Sequence, residues 1–398
     1  MKIIYVHQYF KTPEEGGAIR SWHLTHALIE AGHQVELITA HNKPQPATKY
    51  FGKLKVHYLP VFYDNRLGVF ARLMAFFKFS FKAFKCALSI ADADLCYITS
   101  TPLSTGIVGL LLKRFRSIPY YFEVRDLWPE APIQMKVINN WVVVKMLLCL
   151  ERRIYNSAAT LIALSPAIRD SIMEKLSSEK QVLLVPNFSD CEFFQQSSRR
   201  SKYLEKHKIA ADFVVAYTGA FGRANNIDFI FEIVKASASA FGAQVHFVFA
   251  GDGAEKVRLM NMVQEIAIGN TTFLGHLNKT EVREVLHAAD AVLVSFLPLP
   301  VLRTTSPNKF FDGLAAGKVC ITNTKGWLKE IIESNEIGFY APPDAPEVFV
   351  EKLKGYLVNP HKKVEASKNA RMLAENRFSL DIMKKRFLQS FGHNERGF

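Results

Sequence analysis

Arg125 and Asp126 directly follow the apolar run 119–124 and open a loop, RDLWPEAP, that Trp128 and two prolines stiffen and Glu130 extends. A charged pair at a strand end is costly unless something partners it, so this loop reads as substrate-facing rather than as a structural salt bridge. A second group is Arg303-Thr-Thr-Ser306-Pro-Asn308-Lys309, which opens a helix at Pro307 or Asn308. Free N–H groups at a helix start, with two cations beside them, suit a diphosphate. Asp312, one turn in, is placed for a pair of ribose hydroxyls. In Gly219-Ala-Phe-Gly222-Arg223, the guanidinium can fork onto phosphate oxygens. Gly251-Asp252-Gly253 is a tight turn that lets backbone approach closely. The first such loop, YFKTPEEGGAIR, holds Glu14, Gly16, Gly17 and Arg20 where a helix begins. It lacks the GxGxxG spacing of a dinucleotide fold. Each loop alone could be an ordinary turn. Those at 219, 251 and 303 follow strands of one unit and point to one nucleotide-diphosphate site.

Strands must hold these loops. Short β-rich runs alternate with helical periodicity, the pattern of parallel α/β domains. Candidate strands are 2–7, 34–39, 54–60, 95–99, 119–124, 159–164 and 181–185, with helices at 18–31, 66–90, 104–115, 139–157 and 166–176. The polar stretch 186–211 then breaks the pattern. A second alternation has strands at 213–219, 245–250, 271–274, 291–296 and 319–323, with helices at 226–240, 254–267, 279–288 and 308–316. The chain is helical from about 344, and 379–391 forms an amphipathic closing helix. Two Rossmann-like domains are expected, 1–188 and 189–378, with the last helix, about 379–398, returning to the first. In such sheets ligands lie outside the carboxyl ends of the strands.

With 398 residues, 49% hydrophobic and 22% charged, the chain can bury large cores, which excludes global disorder. Its net charge of +13 is lopsided, with 23 basic against 14 acidic residues in 1–185. That balance implies phosphate-rich ligands, nucleic acid or an anionic membrane. Five widely spaced cysteines without a C-x-x-C pair fit a reducing compartment. The first residues run straight into a strand pattern, and no apolar stretch reaches 18 residues, so neither a signal peptide nor a spanning helix is expected. Asp92-Ala-Asp94 resembles a metal-holding D-x-D, but it precedes its strand and is discounted; the Asn-x-Ser/Thr triplets at Asn187, Asn270 and Asn278 carry no meaning in a cytosolic chain.

The stretch Arg66–Ala91 has no acidic residue. On a helical wheel Phe70, Leu73, Met74, Phe77, Phe81, Phe84 and Leu88 share one face, which reads as the core stripe. Arg72, Lys78, Lys82 and Lys85 take the other face with Phe76 and Phe79. Exposed Phe beside Lys and Arg is what contact with an anionic membrane requires; a solvated basic face is the alternative.

Together PEEGGAIR, VRDLWPE, VPNF, YTGAFGRANNID, FAGDG, FLGHL and SPNKFFDGLAAGKV, in this order, resemble the glycosyltransferases of family 4, particularly bacterial surface-polysaccharide members. The resemblance implies a GT-B fold of two facing Rossmann-like domains. It also implies retaining, metal-independent sugar transfer without a cofactor, the nucleotide sugar on the second domain and the acceptor mainly on the first. By motif, Gly16 and Gly17 would approach the donor diphosphate, and Asp126 would meet the transferred sugar. Gly251, Asp252 and Gly253 would lie near the donor, and His276 and Leu277 would bracket the nucleobase. In the family's Glu-x7-Glu motif Asp312 takes the second, ribose-binding position, while the first is Thr304. Ala220 and Asn225 stand where many members have Arg and Lys. Arg223, Arg303 and Lys309 are inferred to supply that charge, with Gly219, Gly222, Ser306 and Asn308 completing the donor set. Asp126, Arg223 and Lys309 are the expected catalytic residues. Glu14, Arg20, Arg72, Phe76, Lys78, Phe79 and Lys82 are assigned to acceptor and membrane.

The expected partners are a nucleotide-diphosphate sugar, uridine-linked, a lipid-linked saccharide acceptor such as a polyprenyl-diphosphate-linked sugar, and the inner face of the cytoplasmic membrane. A non-hydrolysing nucleotide-sugar epimerase and a basic nucleic-acid-binding protein are the competing readings. The epimerase would need acid/base groups around the sugar's C2, and no nucleic-acid-binding module is recognisable. A dehydrogenase is disfavoured by the missing GxGxxG, and a glycoside hydrolase by the lack of a carboxylate pair.

Overall fold

The computed structural model describes residues 1–17, 19–64, 67–195, 200–267 and 269–392. The expected helix start at residue 18, Arg66 at the head of the acid-free segment, the middle of the polar run at 196–199 and the last residues of the closing segment lie outside the described residues. The chain forms two compact units. One comprises Met1–Pro186 with Thr304–Ser306 and the C-terminal segment from Met383; the other comprises Asn187–Arg303 and Pro307–Ile382.

The first unit runs β1 (Lys2–Val6), α1 (Arg20–Glu30), β2 (Gln34–His41), β3 (Ala47–Phe51), β4 (Leu54–Pro60), α2 (Val69–Leu88) and β5 (Leu95–Thr99). It continues through α3 (Thr105–Arg116), β6 (Tyr120–Val124), α4 (Glu130–Gln134), α5 (Trp141–Ser157), β7 (Thr160–Ala163), α6 (Pro166–Met173) and β8 (Val182–Leu184). The sheet order is β3-β4-β2-β1-β5-β6-β7-β8. All neighbours are parallel except β3 against β4. Every residue of β5 and β6 is buried, which is why both read as mainly apolar runs, Glu123 in β6 being the charged exception. The β3 strand was not expected, because ATKYF is a half-exposed edge strand without alternation.

The second unit contains α7 (Arg200–Lys206), β9 (Phe213–Thr218), α8 (Ile227–Phe241), β10 (Val245–Ala250), α9 (Lys256–Glu265), β11 (Thr271–Gly275), α10 (Lys279–Ala288) and β12 (Ala291–Val294). After these come α11 (Asn308–Ala315), β13 (Val319–Thr322), α12 (Trp327–Ser334), β14 (Gly338–Tyr340), α13 (Pro346–Val358) and α14 (Pro360–Leu373). Its sheet, β11-β10-β9-β12-β13-β14, is parallel throughout. Three-residue β14 was too short to read from sequence. The last helix, α15 (Leu380–Gly392), lays Phe387 against the Tyr97 ring and Phe391 against Tyr121, while Tyr121 Oη donates to the Ser390 carbonyl at 3.0 Å.

Strand order reverses between β1 and β5 in the first sheet and between β9 and β12 in the second. These are the positions where an open α/β sheet offers a crevice beyond its strands' carboxyl ends.

Candidate functional sites

In the second unit, β9 ends at Thr218 and passes into Gly219-Ala-Phe-Gly222, and β10 passes into Gly251-Asp252-Gly253. The two loops are laced by backbone bonds, Gly219 N–H to the Ala250 carbonyl (2.8 Å) and Phe221 N–H to the Asp252 carbonyl (3.0 Å). A Cβ on Gly251 would fall 1.8 Å from the Gly219 carbonyl oxygen, and Gly251 sits at φ +150°. The glycine is therefore fixed first by loop-on-loop packing. The N–H groups of Gly219, Phe221, Gly222, Gly251 and Gly253 are all engaged, that of Gly251 by the Gly275 carbonyl at the end of β11 (2.7 Å), so side chains must supply much of any phosphate contact.

Lys309, on the first turn of α11, reaches this switch point. Its ammonium lies 3.6 Å from the Tyr217 ring centroid. A Cβ on Gly219 would be 3.4 Å from Nζ. It is buried and has no hydrogen-bond partner among the described residues. Burial pushes its pKa down to about 7. The Ser295 hydroxyl, just past β12, is likewise buried without a partner. A buried cation with unspent donors at a switch point is a site prepared for an anion.

Asp312 follows on the same helix, half-buried, its backbone carbonyl accepting from Ala316 N–H at 3.0 Å. Burial, with some help from the Asp190 charge and against the pull of Lys279, pushes it up to about 7. Arg223 is exposed on the short 3-10 turn Arg223–Asn225, whose Asn225 Oδ1 accepts from Gly222 N–H at 3.1 Å. Arg303 is half-buried on the turn Pro300–Thr304, and Asn308 is exposed at the start of α11. Ser306 is buried, in the short stretch that groups with the first unit. His276 is exposed, whereas Leu277 packs against the core of this unit.

In the first unit, the switch point gathers residues from three strand ends. Arg125 donates to His7 Nε2 at 3.3 Å, and its own N–H donates to Ser100 Oγ at 2.9 Å. Since a guanidinium can only donate, His7 must accept at Nε2 and carry its proton on Nδ1. Burial, aided by Arg125, lowers the His7 pKa and keeps the ring neutral. That Nδ1 and both polar atoms of buried Gln8 have no partner among the described residues. Thr101 Oγ1 donates to Asp126 Oδ2 at 3.4 Å. Thr101 holds φ at +83°, a strained conformation for a β-branched residue and one that marks functional loops. Burial raises the Asp126 pKa, while Arg125 and the Thr101 bond oppose it. His7, Gln8, Thr101 and Ser295 were not singled out from sequence. Their signal was only that each lies at or just past the end of a strand beside a reversal of strand order.

Several expectations need correction. Arg20 does not face an acceptor or a membrane: it is 1% exposed, pairs with buried Glu123 at 2.7 Å, and donates to the carbonyls of Pro186 (2.6 Å) and Val185 (2.8 Å). It ties α1 to β6 and to the chain leaving β8. Glu130 is not substrate-facing either, since it shares Lys175 with buried Glu151. On α2 the two faces are exchanged. Phe79 is fully buried, and Phe76 is buried against the rings of Tyr63 and Trp128, whereas Phe70 is 78% exposed and Met74, Phe77 and Phe81 are exposed with it. Small Ala75, Ser80, Ala83 and Ala87 accompany Phe76 and Phe79 inward, and Ser80 Oγ donates to the Ser104 carbonyl at 2.8 Å. A close approach to the neighbouring helix needs small side chains, which the all-large stripe cannot provide. Lys78 remains exposed, Arg72 is half-buried, and Lys82 donates to the Pro60 carbonyl at 3.0 Å. Gly16 and Gly17 adopt φ of +68° and +80°, the latter exposed, and Glu14 is exposed beside them. Asp94 accepts from Lys2 N–H at 2.6 Å, a structural use.

Two parallel α/β units, with an anion-ready switch point in the second, define a glycosyltransferase of the GT-B type. Residues 15–187 match the Glycosyl transferase 4-like domain and residues 199–373 match Glycosyl transferases group 1. The chain belongs to this glycosyltransferase family, of the family-4 kind. Among solved structures, it is similar to sucrose-phosphate synthase from Thermosynechococcus elongatus, with 20% identity, all of both chains covered and a TM-score of 0.81. It is also similar to Anabaena HepE in complex with UDP-glucose, with 17% identity, 99% and 100% covered and a TM-score of 0.72. WaaG, a glycosyltransferase involved in lipopolysaccharide biosynthesis, gives 15% identity, 98% and 99% covered and a TM-score of 0.69. No curated protein sequence matches the chain.

Proposed function

We propose that the protein transfers a sugar, with retention and without a metal, from a uridine-diphosphate sugar to a lipid-linked saccharide at the inner face of a bacterial membrane. Such a reaction belongs to surface polysaccharide biosynthesis. The observation that carries the donor assignment is Lys309, a buried ammonium without a hydrogen-bond partner at the β9–β12 switch point. A diphosphate there would supply the missing counter-charge, and exposed Arg223 and half-buried Arg303 would add cations. These groups stabilise charge growing on the leaving diphosphate. Asp312 takes the ribose hydroxyls. Asp126, held by Thr101 and Arg125, orients the transferred sugar. The acceptor hydroxyl attacks from the leaving-group face and its proton passes to the departing phosphate, so no carboxylate nucleophile is needed. UDP-glucose bound to Anabaena HepE and the role of WaaG support the donor and the pathway by likeness of fold. No described helix is long and apolar enough to cross a membrane. In this reading the exposed Phe70, Phe77 and Phe81 of α2 would meet the bilayer surface that carries the acceptor.

Calorimetry with UDP, GDP and ADP tests the donor site. UDP should bind, and Lys309→Met should weaken it roughly 10–100-fold, the worth of one charge-assisted contact. Unchanged affinity in that variant would remove Lys309 from the site.

A further inference from the structure

The first half of α5 is built like a core helix but is not covered. Asn140 caps it, its side chain accepting from the N–H groups of Val142 and Val143. Of the ten residues Trp141–Leu150 only Lys145 is polar, yet none is buried. Trp141 is 73% and Met146 66% exposed, and Val142 and Val143 are exposed beside them. Between this helix and α4 lies a cavity of about 640 Å³, walled by Ile133, Ile138, Trp141 and Leu148 and rimmed by Lys145 and Arg152. The buried side of α5 begins only at Glu151, Ile154 and Tyr155.

Helix α3 packs against both α2 and α5, so the three form one layer. They carry ten Lys and Arg residues and a single acid, Glu151, which is buried and paired with Lys175. No exposed acid therefore interrupts the layer among its described residues. A second copy of this face would meet it with like charge, and a nucleic acid would leave the hydrocarbon side chains in water. An anionic bilayer satisfies both, because apolar insertion and attraction to headgroups add.

We propose that α5 is a lipid-inserting element: Trp141–Leu150 enters the interface of an anionic membrane, and the α4–α5 cavity receives part of a lipid hydrocarbon chain. This deepens the membrane-acceptor reading given above and uses residues that reading did not assign.

The test is vesicle binding by the full chain, with phosphatidylglycerol-containing and phosphatidylcholine-only vesicles and acyl-chain bromine as the fluorescence quencher. The anionic phosphatidylglycerol vesicles should bind the protein and quench its tryptophan emission, Trp141→Phe should remove the quenched component, and 1 M salt should weaken binding. The exposed-site double substitution Val142→Ser, Met146→Ser should lower vesicle affinity at least tenfold while UDP-induced thermal stabilisation stays as in the parent, which shows the fold intact. Binding without quenching of Trp141, equal binding to both vesicle types, or a dimer abolished by the double substitution would each overturn the proposal. If no sugar transfer is found with any acceptor but the quenching pattern holds, the enzymatic reading fails and the docking surface stands.

Discussion

At the residue scale, Lys309 and Asp312 make an unusual pair. They lie one turn apart, both with pKa values moved to about 7, the lysine downward and the acid upward. The signs decide what ligand binding does to protons. Above pH 7 the free lysine is largely neutral, so a diphosphate that needs the ammonium draws a proton from solution. Below pH 7 the lysine is already charged and the free acid is largely protonated, so ribose hydroxyls donating to its carboxylate expel a proton. Calorimetry of binding of UDP-glucose, whose esterified diphosphate has no group titrating near pH 6, in buffers of differing ionisation enthalpy should show net uptake near pH 8 and net release near pH 6. Lys309→Met should abolish the uptake and Asp312→Asn the release, each leaving the other arm; pH-independent proton exchange would contradict the assignment. The same shifts act on folding. Buried Lys309 costs stability below pH 7, a cost lost progressively as pH rises toward its unfolded value. Asp312 costs stability above pH 7, with the cost vanishing as pH falls toward its own.

At the scale of elements, two connections can be separated by substitution. Arg20 and Glu123 join α1 to β6 inside the first unit, both essentially without solvent contact. Arg20→Met leaves a buried carboxylate unpaired and should cost about 3–5 kcal/mol in denaturant unfolding. Combining it with Glu123→Leu should recover much of the loss; additive losses would show that the pair does not act as a unit. In the second unit, Gly251→Ala drives a Cβ into the Gly219 carbonyl and should cost at least about 2 kcal/mol, whereas Gly17→Ala meets nothing within 4 Å and should cost about 1–2 kcal/mol from its positive φ alone. Equal losses at the two glycines would speak against loop packing as the reason for Gly251. These cases also show what the sequence could reveal. Parallel strands such as β5, β6 and β9 were legible because burial on both faces leaves a mainly apolar run, interrupted in β6 only by Glu123. The edge strand β3 and the three-residue β14 left no such pattern. The loops at 219 and 251 were legible as strand ends from their glycines. The faces of α2 were not, because both were apolar and only the small residues Ala75, Ala83 and Ala87 distinguish the one that packs. Arg20 and Glu123 lie 103 residues apart, and no local pattern joins them.

At the scale of the whole molecule, the charge of +13 has two separate uses. In the proposed function, discrete cations serve the switch point of the second unit, Lys309 buried and Arg223 and Arg303 nearer solvent. A denser array covers the α2–α3–α5 layer of the first, where the exposed hydrocarbon of Phe70, Phe77, Trp141 and Met146 excludes a purely phosphodiester partner. The central claim is sugar transfer to a lipid carrier, and one measurement addresses it most directly. The purified protein is incubated with radiolabelled UDP-sugars, bacterial membrane lipids bearing polyprenyl-diphosphate saccharides and EDTA, and the organic-extractable fraction is counted. The expected result is label in that fraction with retained anomeric configuration, undiminished by EDTA and lost in Lys309→Met. Label remaining on the nucleotide as an epimerised sugar, or released as free sugar with no lipid product from any donor, would contradict it.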